Sequence, residues 1–226
     1  MNKLLTYSLI LFFGLCSIFT ARGQEGKPNR IHGGVYLKLG AVIPVGTYAA
    51  GQDVMMTTGS GLYPLCYLPA KIGAALDMGT LIYIGPAFAN KFLRAGIDAT
   101  FLTISFNSTN PYDPGKKAAH YYYFVGQKFG PVITVNPIDR LMIDLSWKLN
   151  ANASFFEGEW DDFEGEYSKY GMDFIQQEIS LTVRYSIMAF SFQYNYGNMK
   201  YNNFTSSRQK QIIDLSTIRI LIGIKF

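Results

Sequence analysis

Hydrophobic and polar residues alternate one by one along much of this chain. The stretch 213–226 shows the pattern most clearly, with one face made of Ile218, Ile220, Ile222, Ile224 and Phe226. Successive side chains of a β-strand point to opposite faces, so a period of two predicts a strand. The phase of the alternation changes after Phe101, which predicts a β-bulge. Seven further strands are predicted near residues 35–43, 72–82, 93–101, 120–130, 141–150, 178–185 and 190–197.

The connections between these strands fall into two lengths. Because short and long connections alternate, all short turns lie at one end of the strands and all long loops at the other. Outer-membrane barrels have short periplasmic turns and longer extracellular loops. The sequence therefore predicts an all-β fold, an eight-stranded antiparallel transmembrane β-barrel. The short turns are expected near 86–91, 136–139 and 186–187, and the long loops near 47–69, 107–119, 154–174 and 198–212.

Alternation by itself fits two orientations of the apolar face. A soluble, lipocalin-like carrier turns this face inward, whereas a transmembrane barrel turns it toward lipid. The polar face of this chain is rich in Gly, Ser and Thr, and aromatic residues gather toward the strand ends. Aromatic girdles of this kind mark the two membrane–water interfaces of a barrel. These features favour the transmembrane orientation, with a soluble periplasmic carrier as the alternative.

The composition is consistent with a membrane wall. Of the 226 residues, 49% are hydrophobic and 16% are charged, whereas soluble domains carry about 25% charged residues. The longest apolar run, residues 4–20, follows a basic start and precedes the sequence Ala-Arg-Gly at 21–23. This arrangement predicts a cleaved secretory signal peptide, residues 1–23, followed by the barrel domain, residues 24–226.

Charge and motif content exclude several classes of function. The chain has 20 basic and 16 acidic residues, which gives no indication of a nucleic-acid partner. Cys66 is the single cysteine of the predicted mature chain, so the fold cannot depend on an internal disulfide. The sequence has no Cys/His metal cluster, phosphate-binding loop or nucleophile elbow, so no cofactor, metal or catalytic residue is predicted.

Isolated charged residues lie on the polar faces of the predicted strands. In the transmembrane orientation these side chains point into the barrel, and side chains fill an eight-stranded interior. Buried charges without partners are costly, so the sequence predicts a network of ion pairs and hydrogen bonds there. A narrow pore lined by the same charges is the alternative. The predicted interior charges are Lys38, Asp77, Arg94, Asp98, Lys128, Asp144, Lys148, Glu178, Arg184 and Arg219.

The segment 154–174 is the most acidic part of the chain. It contains seven of the 16 acidic residues and a single lysine, interleaved with aromatic residues. Carboxylates suit divalent cations, and Trp and Tyr anchor protein interfaces, so this predicted loop is a candidate contact surface. A solvated loop whose aromatic residues pack on the barrel rim is the alternative. The candidate contact residues are Glu157, Glu159, Trp160, Asp161, Asp162, Phe163, Glu164, Glu166 and Tyr167.

The last strand carries a family resemblance. Ile222, Ile224 and Phe226 resemble the C-terminal assembly signal of bacterial outer-membrane proteins. Together with the export signal and the alternating strands, residues 33–226 resemble the small OmpA/OmpX-like β-barrel family, in particular the stand-alone barrels of Bacteroidetes. The resemblance implies contact with outer-membrane lipid and lipopolysaccharide and insertion by the barrel-assembly machinery. It also implies a structural or surface-loop scaffold role, with an extracellular partner expected at the long loops.

An enzymatic role is weakly supported by the same resemblance. Some eight-stranded barrels modify lipid A with a histidine, a serine and a carboxylate near the outer rim. This chain has two histidines, His32 and His120, and His120 is followed by Tyr121 and Tyr122. The His-x-Ser arrangement of the barrel deacylases is therefore missing, and we expect a protein that is not an enzyme.

Overall fold

A computed structural model gives the fold of the chain. The predicted signal peptide, residues 1–23, lies outside the residues that the structure describes. A helix long and apolar enough to cross a membrane does not occur in the described residues. These residues are 33–45, 52–58, 61–67, 70–84, 88, 92–108, 121–138, 140–159, 166–203 and 210–226.

Twelve β-strands make up most of the described chain. Eight of them form the wall of a barrel, and the four short strands β2, β3, β10 and β11 lie between wall strands. The bounds are β1 (Gly34–Pro44), β2 (Gln52–Thr58), β3 (Gly61–Tyr67), β4 (Gly73–Tyr83), β5 (Leu93–Ser108), β6 (Tyr121–Ile138), β7 (Leu141–Glu159), β8 (Glu166–Tyr185), β9 (Met188–Tyr196), β10 (Asn198–Asn203), β11 (Lys210–Asp214) and β12 (Thr217–Lys225).

The wall closes on itself through antiparallel ladders. The order around the barrel is β1-β4-β5-β6-β7-β8-β9-β12, and β12 pairs with β1 from Tyr36↔Lys225 to Pro44↔Thr217. A closed sheet leaves no edge strand in its wall. The predicted eight-stranded antiparallel β-barrel is therefore confirmed.

Several wall strands are longer than their alternation indicated. The β7–β8 ladder continues to Glu159↔Glu166, so the prediction that 154–174 is a loop is wrong. The predicted loops 47–69 and 198–212 contain the β2–β3 and β10–β11 hairpins. A hairpin that extends beyond the closed wall has no barrel interior on one face and no uniformly apolar environment on the other. Strand pairing therefore continues there without the alternation that reveals it in the sequence.

The predicted bulge lies where the alternation changes phase. The β5–β6 register shifts between Thr100 and Thr103, so that Phe101 and Leu102 both leave the interior face. A second shift, between Asn150 and Asn152 in the β7–β8 ladder, was not predicted. Each bulge adds one residue to one strand and thereby keeps polar side chains directed inward on both sides of it.

The barrel has a polar interior and an apolar exterior. Outward side chains such as Leu39, Phe129, Leu145 and Ile222 are exposed. The interior is filled mainly by Ser, Thr, Asn, Gln and charged residues, with two small apolar clusters. This orientation is the reverse of a soluble carrier, so the lipocalin-like alternative is wrong.

Candidate functional site

Asp77 on β4 is the centre of the polar interior. Its Oδ2 accepts hydrogen bonds from Lys128 Nζ at 3.0 Å and Gln193 Nε2 at 3.1 Å. Its Oδ1 accepts from Thr103 Oγ1 at 2.6 Å and lies 3.5 Å from Arg219 Nη1. A fully buried carboxylate is stabilised only if its oxygens are satisfied, and here four side chains from four other strands do so.

A chain of ion pairs continues from Lys128 across the barrel. Lys128 Nζ lies 2.7 Å from Glu178 Oε2, and Lys148 Nζ lies 3.1 Å from Glu178 Oε1. Lys148 also lies 3.0 Å from Asp98 Oδ2. Tyr36 completes the chain by donating its hydroxyl to Asp98 Oδ1 at 2.6 Å. Sharing each ion among several partners offsets the cost of removing it from water.

This central network joins all eight wall strands. It contains three carboxylates, three cations, one phenol and one amide, each at most 6% exposed. With acid and base balanced, the network closes the middle of the barrel without a net charge among its ionised members. Its members, in strand order, are Tyr36 on β1, Asp77 on β4, Asp98 on β5, Lys128 on β6, Lys148 on β7, Glu178 on β8, Gln193 on β9 and Arg219 on β12.

A second polar cluster lies near the short-turn end. Arg184 contacts both carboxylate oxygens of Asp144 and donates to Tyr83 Oη at 2.8 Å. The ring of Tyr83 faces two more cations, with Arg94 Cζ 5.0 Å and Lys225 Nζ 5.6 Å from its centroid. Aromatic faces attract cations at such distances. We call these five residues the short-turn cluster.

Lys38 belongs to neither cluster. Its Nζ donates to Thr182 Oγ1 at 3.2 Å and lies 4.6 Å from the centroid of the Tyr36 ring. Among the described side chains no carboxylate forms an ion pair with it, although Asp77 is its cross-strand partner. Lys38 is therefore held by a hydrogen bond and an aromatic face, and not by an ion pair with a described carboxylate.

The structure also places inside the barrel residues that sequence reasoning missed. Lys225 is buried, and it shares the inward phase of Arg219, a signal that was present in the sequence. Tyr36, Tyr83 and Tyr122 also point inward. Gly79 makes room for one of them, because a Cβ there would lie 2.3 Å from Tyr36 Oη.

The candidate contact residues lie partly in strands. Glu157 and Glu159 belong to β7, and Glu166 and Tyr167 belong to β8. Eight register pairs from Asn152↔Asp173 to Glu159↔Glu166 form what we call the β7–β8 extension. Strand β10 pairs with it at 169–171, and β11 pairs with β10. The remaining contact candidates, Trp160, Asp161, Asp162, Phe163 and Glu164, lie outside the described residues.

On the outer face, one glutamine and three aromatic side chains form a group at the same position along the barrel axis. Gln177 Oε1 accepts hydrogen bonds from Trp147 Nε1 at 3.1 Å and from Tyr196 Oη at 2.7 Å. Tyr194 stacks on Tyr196 with ring centroids 5.8 Å apart. Side chains with an apolar body and a polar tip are characteristic of a membrane–water interface.

The residues of the predicted assembly signal lie on the outer face at the other end of the wall. Ile222, Ile224 and Phe226 are all exposed, and Phe226 reaches 73% exposure. The Phe226 backbone nitrogen donates to Val35 O at 2.9 Å. Both chain ends of the barrel thus meet at the β1–β12 seam.

The described residues were compared with the side-chain groups that bind metal ions. No group of three or more His, Cys, Asp or Glu side chains suited to a metal ion occurs within the part of the chain that the structure describes. His32 and His120 both lie outside that part.

Comparison with known proteins finds similarity of shape. No protein-family model matches the chain, and no curated protein sequence is significantly similar to it. Ail, the attachment invasion locus protein of Yersinia pestis, solved with the heparin analogue sucrose octasulfate, is 11% identical with a TM-score of 0.49. That alignment covers 87% of this chain and 100% of Ail.

Two other solved structures are more distant. Neisserial surface protein A is 11% identical with a TM-score of 0.42, over 86% of this chain and 99% of that one. The outer membrane protease OmpT from Escherichia coli is 10% identical with a TM-score of 0.36, over 90% and 97%. Similarities at this level identify neither a family nor an activity, so the OmpA/OmpX-like and Bacteroidetes resemblance stays a prediction.

Proposed function

We propose that this protein is an integral outer-membrane barrel that acts as a closed scaffold for a surface-exposed β-sheet. The observation that carries the proposal is the inside-out distribution of side chains, with an apolar exterior around a polar, ion-paired interior. Soluble monomers rarely expose an apolar patch of more than a few hundred Å². A membrane accommodates such a surface, and a closed barrel satisfies its backbone hydrogen bonds within the wall.

The height of the apolar surface supports this location. On β8 the outward positions run from Gln177, in the aromatic group, to Tyr185 at the short-turn end. Eight residues at about 3.4 Å each, tilted by roughly 40°, span about 20 Å along the barrel axis. The apolar band of outer-membrane barrels is roughly 25 Å tall. The wall therefore matches the thickness of such a membrane.

A closed interior is the reason for preferring a scaffold to a pore. The central network crosses the barrel and contacts every wall strand, so an ion would have to displace several charge-assisted hydrogen bonds to pass. We expect purified protein in planar bilayers to give no stable conductance. The narrow pore is the second candidate, supported by the charged lining, and large reproducible channels would establish it instead.

Membrane location is tested separately from closure. Isolated outer membranes should contain the protein, and unheated samples should migrate differently from heated ones on a detergent gel, because a closed barrel resists unfolding by detergent alone. Recovery as a soluble periplasmic protein would reject the outer-membrane proposal. We further propose that lipopolysaccharide contacts the outer aromatic group and that the assembly machinery reads Ile222, Ile224 and Phe226.

The β7–β8 extension is the proposed contact surface. The segment 154–174 combines seven acidic residues with one lysine, so it suits a basic partner. Its eight register pairs give it a backbone framework that a disordered loop lacks. Cells that display the protein should bind a fluorescent decalysine peptide, and binding should weaken with salt because exposed charges are screened.

Two sets of charge-removing substitutions test this contact. Glu157→Gln, Glu159→Gln, Glu164→Gln and Glu166→Gln combined should reduce peptide binding to the background of cells without the protein. A control variant that removes Lys116 and Lys117 from another long connection should bind at least as well as the unchanged protein. Equal binding by the acidic variant and the unchanged protein would refute the contact surface. We do not propose an enzymatic role, and lipid A modification would require a catalytic group that includes His120.

A further inference from the structure

Five buried amide side chains line the interior on β7, β8 and β9. They lie beside the central network, on the side toward the long connections. Two direct hydrogen bonds join four of them, Asn150 Nδ2 to Asn195 Oδ1 at 2.9 Å and Asn152 Nδ2 to Gln176 Oε1 at 2.7 Å. The fifth, Gln193, belongs to the central network. Each of the five is at most 6% exposed.

The register leaves a donor and an acceptor facing each other. Asn150 and Gln176 are direct cross-strand partners, yet each forms its hydrogen bond with a different neighbour. Asn150 Oδ1 and Gln176 Nε2 consequently have no hydrogen-bond partner among the described residues. The Cβ atoms of directly opposite residues lie about 4.5–5.5 Å apart, so these two side chains face each other across the β7–β8 ladder.

Two further groups border the same region. Asn195 Nδ2 has no hydrogen-bond partner in the described chain, and Asn195 lies opposite Glu178 in the β8–β9 ladder. Glu178 Oε1 is ion-paired with Lys148 at 3.1 Å but accepts no hydrogen bond from a described group. Three neighbouring strands therefore present two unused donors and four unused acceptors, because Asn152 Oδ1 and Gln193 Oε1 also lack a hydrogen-bond partner in the described chain.

This mixed set selects one kind of ligand. An anion requires donors, and a metal cation requires acceptors, whereas a hydroxyl group donates and accepts at once. If the side-chain amides of both Asn150 and Asn195 are rotated so that oxygen and nitrogen change places, the hydrogen bond between them reverses direction. One donor and one acceptor of this pair are again left unused. Buried water typically makes about three hydrogen bonds to groups of this kind.

We propose that Asn150, Gln176 and Asn195 form a binding site for a hydroxyl group inside the barrel. The hydroxyl accepts hydrogen bonds from Gln176 Nε2 and Asn195 Nδ2 and donates one to Asn150 Oδ1. It belongs either to a water molecule or to a small neutral polyol. The site places a polar ligand beside Glu178, at the edge of the central network.

Nuclear magnetic resonance of the side-chain amides tests the site. The full protein, with ¹⁵N-labelled Asn and Gln, is studied in detergent micelles at mildly acidic pH, where direct hydrogen exchange of amides is slow. The Gln176 and Asn195 amide protons should show cross-relaxation with water. The buried Asn107 side-chain amide, which donates to Lys71 O at 2.8 Å and to Val42 O at 3.4 Å, serves as the reference.

Two variants and one titration complete the test. Asn150→Leu should abolish the Gln176 water signal, and Ser146→Ala, which changes a hydroxyl pair elsewhere on β7, should preserve it. Saturable glycerol-induced shifts of both amide resonances would assign the site to polyols, and their absence beside a water signal would assign it to water. Absence of both effects in the unchanged protein would overturn the proposal, whether or not Asn150→Leu folds. Persistence of the Gln176 signal in a folded Asn150→Leu variant would overturn it as well.

Discussion

The central network and the short-turn cluster hold charges inside the same barrel in different ways. In the central network each carboxylate contacts at least one cation, and the groups come from all eight strands. In the short-turn cluster Asp144 pairs with Arg184, while Arg94 and Lys225 lie against the ring of Tyr83. Arg94 is only half-buried, whereas Asp144, Arg184 and the members of the central network are buried.

This difference shows how position sets the requirement for charge pairing. Deep in the barrel a charge is removed from water, so it needs protein partners of opposite sign. Near the rim, the aromatic face of Tyr83 supplies part of the stabilisation of Arg94 and Lys225. Two variants separate these two situations by the size of their effects, and a third tests Lys38, which lies in neither cluster.

Asp77→Ala should have the largest effect. It leaves Lys128, Arg219 and Gln193 without a shared acceptor in the middle of the barrel. Removing one partner of a buried ion pair destabilises a protein by about 3–5 kcal/mol. Urea unfolding of the protein in lipid vesicles measures this loss, and a loss below about 1 kcal/mol would contradict a central role for Asp77.

Asp144→Ala should have a smaller effect of the same sign. It removes two contacts to Arg184 and the acceptor of the Thr134 hydroxyl, which donates to Asp144 Oδ1 at 2.6 Å. Hydrogen bonds to charged groups contribute about 1.5–3 kcal/mol, and the remaining guanidinium keeps Tyr83 Oη as an acceptor. The same unfolding measurement should give about 2 kcal/mol. A loss equal to that of Asp77→Ala would remove the distinction between the two regions.

Lys38→Met should have the smallest effect and the opposite sign. Lys38 is a buried cation whose described contacts are a hydroxyl and an aromatic ring. An apolar side chain of similar length avoids the cost of burying that charge, so the unfolding free energy should rise by about 1 kcal/mol. A marked destabilisation in vesicles would show that the Lys38 charge is needed by the network.

The wall was predictable because its two environments impose a period of two. Ile218, Ile220 and Ile222 face outward as their phase required, and the phase change after Phe101 located the bulge. The extended β7–β8 pairing was not predictable in this way. Residues such as Glu157 and Glu159 show no alternation, yet their backbone groups still pair across the hairpin.

The sequence by itself determined the number of wall strands, the inward face of the ten predicted interior charges, and the alternation of short and long connections. The tertiary structure alone decided which charges meet. Arg219 and Asp77 are 142 residues apart in the chain, and Gln193 and Asp77 are 116 residues apart. Their contact depends on the tilt and stagger of the closed wall, which each strand's own pattern does not encode. For the same reason, closure left Lys38 without a carboxylate partner among the described side chains, while it placed Asp77 within reach of Lys128, Arg219 and Gln193.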